Sequence, residues 1–209
     1  MMTRTKPVRT HAPPAAELQG RRVLMVLGDL QLGGAEKQAV LLARHLARHE
    51  GAIVQVWGFD GPGRAADLLS EAGIPWRVVG NPLAGPPWKK LWALGRFALR
   101  LRAARPDVIL SYTMPPNIAC GLTWRWSGAG ACIWNQRDAG IHRFRRPLER
   151  LAVRGASAHF ANGRAGAEFL RNVMAIPASR LHVISNGVDL PPPCRSRKAW
   201  RNKLQTGNR

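Results

Sequence analysis

From Arg22 onward, short apolar runs alternate with helix-length stretches, and that alternation leaves few folds open to the chain. The runs "RVLMVL" (22–27), "AIVQVWGF" (52–59), "PWRVVG", "PDVIL" (106–110), "GACIWN" (130–135), "ASAHFAN" and "RLHVISNGVD" read as strands. Helical segments separate them: 34–49, 63–73 ending at Gly73, Trp88 to Ala104, "PNIACGLTWRW", 145–154 and "GRAGAEFLRNV". In the first helix Ala35, Gln38, Ala39, Leu42, Ala43 and Leu46 recur at helical spacing. Strands that are mostly apolar rather than alternating need cover on both faces, which a parallel sheet between helices provides. The expected fold is therefore α/β, a doubly wound, mostly parallel sheet with helices on both faces. Sheets of this kind bind ligands beyond the carboxyl ends of their strands. The residues to watch follow the strands: Gly33–Gly34, Ser111–Tyr112–Thr113, Asn135 to Asp138, and Asn186–Gly187.

The first of these stretches, "GDLQLGGAEKQ", joins a strand to a long helix. A glycine loop there can aim backbone N–H groups at a phosphate, helped by the helix N-terminus. The spacing is neither G-x-G-x-x-G nor that of a P-loop, because Gly34-Ala35 follows Gly33 where Lys-Ser/Thr is required. A tight turn needing glycine is the plain alternative. Glu36 falls in the first helical turn, where the macrodipole favours an acid without any functional reason. Asn135, Gln136, Arg137 and Asp138 form the densest polar cluster; Arg beside Asp suits an acceptor hydroxyl or a phosphate, or else a surface ion pair. "ISNGVD" is expected to leave the last strand by an Asn-Gly turn with positive φ at the glycine.

Charge adds a further constraint. The chain of 209 residues holds 32 Lys+Arg against 12 Asp+Glu, a formal net charge of +20. Such a surface suits phosphates on nucleic acid, a nucleotide or an anionic membrane. No C2H2 spacing, RNP-type strand or recognition-helix pair accompanies the charge, which sets nucleic acid aside. The segment "WKKLWALGRFALRLRAARPD" has no acid before Asp107 and is apolar around much of its circumference. It reads either as a sheet-covering helix with a solvated basic edge, favoured by its crossover position, or as a helix lying on an anionic bilayer. Cys120, Cys132 and Cys194 form neither a CxxC pair nor a metal pattern, so no metal site and no disulfide framework is expected. No apolar run approaches the ~18 residues of a membrane span.

Taken together, "GGAEKQAVLLARHLARH", "RPDVILSY", "ASAHFANGRAGAEFL" and "IPASRLHVISNGVDL" resemble the amino-terminal half of a family 4, GT-B fold glycosyltransferase, over about residues 22–190. The resemblance implies a Rossmann-like domain that handles the acceptor, facing a second domain that grips a nucleotide-diphosphate sugar. It implies retention of anomeric configuration, no metal or other cofactor, and a glycine loop (Gly33, Gly34) close to the donor diphosphate. Arg137 and Asp138 are the expected catalytic pair at the acceptor, with Glu36, Asn135, Gln136 and Asn186 lining the cleft. Two departures stand out. Many relatives have a histidine at the end of the "GACIWN" strand, where this chain has Asn135 or Gln136, and a serine after the "AN" strand, where it has Gly163.

The expected organisation is a disordered basic leader over 1–20, the glycosyltransferase N-terminal domain over 21–190, and a Pro-rich linker opening a C-terminal domain over 191–209. Read this way, the chain is an N-terminal half that is not active alone, its donor domain lost or carried on a separate chain. The expected setting is the cytoplasm, peripheral on the inner face of the plasma membrane, where a polysaccharide or glycolipid acceptor is extended. The alternative is a non-catalytic module that binds an anionic lipid or glycan acceptor.

Overall fold

A computed structural model describes residues 18–141 and 146–188, with the side chain of Arg146 left aside. The expected leader, apart from a turn at Leu18–Gly20, and the expected linker over 191–209 lie outside the described residues. Seven strands form one sheet: β1 (Arg22–Leu27), β2 (Ile53–Gly58), β3 (Trp76–Val78), β4 (Val108–Tyr112), β5 (Ala131–Gln136), β6 (Ala158–Ala161) and β7 (Leu181–Val183). Their order is β3-β2-β1-β4-β5-β6-β7, and every pairing is parallel. Helices α1 (Gly34–His49), α2 (Arg64–Glu71), α3 (Pro87–Ala104), α4 (Met114–Thr123), α5 (Arg146–Gly155) and α6 (Arg164–Glu168) make the crossovers.

The central strand shows why the runs are apolar throughout. Val23, Met25 and Leu27 of β1 enter a core with Ala39, Val40 and Ala43 of α1 and Ala66 and Leu69 of α2. Leu24 and Val26 enter a second core on the opposite face, with Phe97 and Leu101 of α3 and Cys120 of α4. A third core gathers Trp134 of β5, Ile118 of α4 and Ala152 and Val153 of α5. A strand with partners on both edges and helices on both faces has no solvent side to make polar. Cys120 and Cys132 are free thiols buried in this interior.

Several boundaries differ from the expected ones for local reasons. Helix α4 begins at Met114, before its two prolines, rather than at the second of them, because Pro in a first turn lacks only an N–H that would be unpaired anyway. It gives way to a 3-10 turn at Trp124–Trp126 instead of continuing. Helix α6 is short and passes into a π-type turn at Phe169–Val173; its N-cap is Gly163, which offers no side chain for capping. Gly73 has φ +71° and ends the α2 turn as expected. The Asn-Gly turn is a correction. Gly187 is not among the residues with positive φ, and 184–188 runs on without a turn. The physical reason is a two-way clamp: Gln38 Nε2 of α1 donates to Gly187 O and Gln38 Oε1 accepts from Gly187 N, both at 2.8 Å.

Helices α4 and α5 approach through glycine. A Cβ on Gly121 would lie 2.4 Å from Ala152 O, and one on Gly155 would lie 2.3 Å from Gly121 O. Both obstacles are backbone, so no side chain can swing aside. Gly121→Ala is expected to destabilise the fold by about 1–3 kcal/mol through overpacking. Urea unfolding of the variant measures this; an unchanged midpoint would mean that the helices do not approach so closely.

Candidate functional site

The carboxyl ends of the strands carry a cleft of about 420 Å3. Its walls include Gln38, Leu42 and His45 of α1, Tyr112 at the end of β4, Asn135 of β5, Arg137, and Asn162 beyond β6. Strand order explains the location: the chain leaves β1 toward β2 on one side, while β4 continues the sheet on the other. At this switch point Gly28 and Thr113 nearly touch, a Cβ on Gly28 lying 3.0 Å from Thr113 Oγ1. Thr113 has φ 66° and ψ 169°, a region occupied almost only by glycine, so the backbone is strained where the strands open.

Polar side chains beneath the cleft are tied together. Ser111 Oγ donates to Asn117 Oδ1 (2.7 Å), Asn117 Nδ2 donates to Asn135 O (2.9 Å), and Asn135 Nδ2 donates to Ser111 O (3.2 Å). This buried loop locks the ends of β4 and β5 to α4. Gln136 is buried on the other face, where its Oε1 accepts from Trp134 Nε1 at 2.9 Å. Asp138 Oδ1 accepts from Gly140 N (2.6 Å) and from Gln136 Nε2 (3.0 Å), so the carboxylate closes its own loop and is not part of the cleft wall. Arg137 points the other way. Its Nη1 donates to Asn186 Oδ1 at 2.9 Å, and its guanidinium carbon lies 4.8 Å from the centre of the Tyr112 ring.

Two groups here are buried with no hydrogen-bond partner: Tyr112 Oη and Arg137 Nε. Burial pushes the Tyr112 phenol up to about 12, and the charge and hydrogen-bonding pull of the adjacent Arg137 guanidinium, whose geometry falls short of a made bond, draw it back only in part. It therefore stands as a neutral O–H at physiological pH. A buried polar group left unpaired costs stability, and such groups concentrate where a ligand completes them.

The glycine loop lies at the N-terminal end of α1, just ahead of Gln38 in the cleft wall. Gly33 is the N-cap, in extended backbone (φ −96°, ψ −172°), and Glu36 stands at the third helical position. A Cβ on Gly33 would lie 2.5 Å from Glu36 Oε2, so glycine makes room for the glutamate to fold back over the helix start. Gly34 is different, since a Cβ there would meet no atom within 4 Å. Glu36 is buried, and burial raises its carboxyl above the ordinary value; Asp29 pushes the same way, while the N–H groups of Glu36 and Gly33 and the Arg137 charge oppose. The glutamate serves as half of a capping box. It also places an anion at the N–H groups of Gly33 and Glu36, within the loop expected to face a phosphate.

The sequence-profile description Glycosyltransferase Family 4 matches residues 32–191. The chain belongs to that family. No curated protein sequence matches it significantly. Among solved structures, Anabaena Alr3699/HepE in complex with UDP is 21% identical with a TM-score of 0.67, covering 90% of this chain and 50% of that one. A glycosyltransferase from Rickettsia africae ESF-5 is 15% identical with a TM-score of 0.71, covering 90% and 49%. The lipopolysaccharide outer core galactosyltransferase WaaB in its apo form is 15% identical with a TM-score of 0.64, covering 84% and 50%. These likenesses establish the fold, a Rossmann-like half of the GT-B architecture. The family 4 chain spans about half the length of these structures.

Of the residues expected at the site, Asn135 and Arg137 line the cleft, and Asn186 is held against Arg137. Gly33, Gly34 and Glu36 flank it at the start of α1, while Gln136 and Asp138 support the loop between β5 and α5. Gln38 was not among them, and Tyr112 was noted only as one of the residues that follow a strand, without a role at the site. Gln38 broke the apolar stripe of α1, a signal open to reading; Tyr112, the only tyrosine in the chain, gave none beyond its place after a strand.

Two outcomes follow from the buried groups. Tyr112→Phe removes an unpaired hydroxyl and is expected to raise the stability of the ligand-free protein by about 1 kcal/mol. A loss of stability in urea unfolding would show that the hydroxyl is already paired. For Glu36, a folded pKa above the unfolded one means that stability falls as pH rises from the unfolded value through the folded one. Glu36→Gln should therefore gain on the native protein as pH rises above 4.5 toward neutrality, read as the difference in melting temperature across a pH series. A difference that shrinks with pH would reverse the assignment.

Proposed function

We propose that the chain is the acceptor-side half of a retaining, nucleotide-sugar-dependent glycosyltransferase that extends a polysaccharide or glycolipid. The observation that carries this reading is the pair of unpartnered groups, Tyr112 Oη and Arg137 Nε, buried at a cleft outside the strand ends. An acceptor hydroxyl both donates and accepts, so it completes a phenol and a guanidinium at once. Family membership and a structural neighbour in complex with UDP support a nucleotide-diphosphate sugar as donor.

In this reading the acceptor hydroxyl oxygen attacks the anomeric carbon as the bond from that carbon to the diphosphate breaks, and the hydroxyl proton passes to the departing diphosphate oxygen. Negative charge grows on the departing phosphate, and donors already aimed at it lower the barrier. The first-turn N–H groups of Gly34 and Ala35, which have no intrahelical acceptor, serve that role beside Gly33. Glu36, whose carboxylate accepts from the neighbouring Gly33 and Glu36 N–H groups in the free protein, is the adjacent anion that the donor phosphate displaces. Arg137 contacts the acceptor, Asn186 orients its guanidinium, and Asp138 shapes the loop from which it projects. Asn135 forms the floor. Turnover requires a second, donor-gripping domain facing the cleft; this half alone binds without transfer.

Gly34 gives the cleanest test, because the fold itself leaves space there. Gly34→Val is expected to keep the native melting temperature yet to weaken UDP binding at least about tenfold, equivalent to ~1.4 kcal/mol. The readout is the backbone amide spectrum of the 15N-labelled chain titrated with millimolar UDP. Shifts centred on Gly33 to Glu36 in the native protein and lost in the variant are the expected result. Shifts centred elsewhere, or unchanged in the variant, would reject the phosphate role of the loop.

A further inference from the structure

Helix α3 has two apolar faces, and only one is used by the core. Phe97, Ala98 and Leu101 are buried against the sheet. Trp88, Leu91, Trp92 and Leu99 form a second stripe that stays 71%, 78%, 65% and 67% exposed. Trp126, from the 3-10 turn after α4, is 64% exposed and joins the stripe across a groove of about 750 Å3 lined by Trp92, Arg96, Leu99, Arg102 and Arg125. Lys89 Nζ lies 5.1 Å from the Trp88 ring centre, and the Arg96 guanidinium lies 4.5 Å from that of Trp92. Helix α3 contains no acidic residue, and none lines the groove. Among the described residues nothing covers this surface.

We propose that the outer face of α3, together with Trp126 and Arg125, is a docking surface for an anionic lipid bilayer. The proposal is independent of the transferase reading. Trp88 to Leu99 spans about 16 Å along the helix axis, so the stripe can lie flat in the headgroup region. Indole rings belong at that depth, and the interleaved Lys and Arg heads reach outward to lipid phosphates. Other occupants fit less well. A second copy of the same face would bring Arg96, Arg102 and Arg125 against like charges. Single-stranded nucleic acid stacks on aromatic rings, but Leu91 and Leu99 have no ring to offer, whereas acyl chains take leucine readily.

The test uses the full 209-residue chain and sedimentation with phosphatidylcholine vesicles, with and without phosphatidylglycerol. Two variants probe the two components: Trp92→Ala/Trp126→Ala, and Arg96→Gln/Arg102→Gln. All four side chains are exposed, and circular dichroism melts serve to check that each variant folds. The native protein should pellet with the anionic vesicles and be released by salt, and each variant should bind at least about tenfold more weakly. Brominated lipid should quench native tryptophan fluorescence more than that of the double-Trp variant. Equal binding by native protein and variants would overturn the proposal, as would no preference for the anionic lipid. So would a dimer in sedimentation equilibrium that the double-Trp variant abolishes without any vesicle binding, since the occupant would then be a second copy. Release from vesicles by single-stranded DNA, with tighter binding to the DNA than to lipid, would assign the surface to nucleic acid instead.

Discussion

Pairing of β1 with β2 on one edge and β4 on the other is the constraint from which the rest of this molecule follows. Parallel strands cannot be joined by tight turns, so each connection becomes a crossover, and helices must cover both faces. Where the direction of winding changes, the loops after β1 and β4 part. The close approach of Gly28 to Thr113 and the strained backbone of Thr113 mark that parting. The cleft beyond it is thus a product of topology. Its walls are set by side chains that the topology happens to bring there, which is why family 4 membership alone does not specify them.

The fold was legible because burial on both faces leaves a plain mark in the chain. Strand β1 and helix α1 match their expected limits at both ends, since an unbroken apolar run gives way to a clear 3.6-residue period. Legibility failed where two local rules compete. At "TMPPN" the prolines suggested a boundary, yet proline is neutral in a first turn, so α4 reaches back to Met114. At "SNGVD" a turn preference lost to a distant partner: Gln38 lies 149 residues away, and no local pattern records its two hydrogen bonds to Gly187.

The site was legible in part, and the reason lies in which property each residue uses. Arg137 and Asn186 announced themselves as polar residues after strands, and their 2.9 Å hydrogen bond joins two such positions. Asp138 announced itself equally well, but its carboxylate is consumed by Gly140 N–H and the Gln136 amide. Residue type reveals chemistry that is available; it does not reveal whether a neighbour has already taken it. Tyr112 is the converse, noted in the sequence only for its place after a strand, and in the structure core except for one oxygen without a partner.

The two glycines at the start of α1 separate fold from function in the same way. Gly33 is explained from within, because Glu36 needs the space that a Cβ would fill. Gly34 has no such internal reason: a methyl group there would touch nothing. A glycine in a helical first turn costs conformational entropy relative to alanine and returns no packing. The proposed function supplies an outside reason, an anion that approaches the N-terminal helical turn and displaces the buried carboxylate beside it. Burial of Glu36 already weakens its hold by favouring the neutral form, while Arg137 supplies a positive charge within reach of the same place. In the proposed reading the loop exchanges one anion for another at low cost, and the residue that caps the free helix holds the turn that a phosphate would meet.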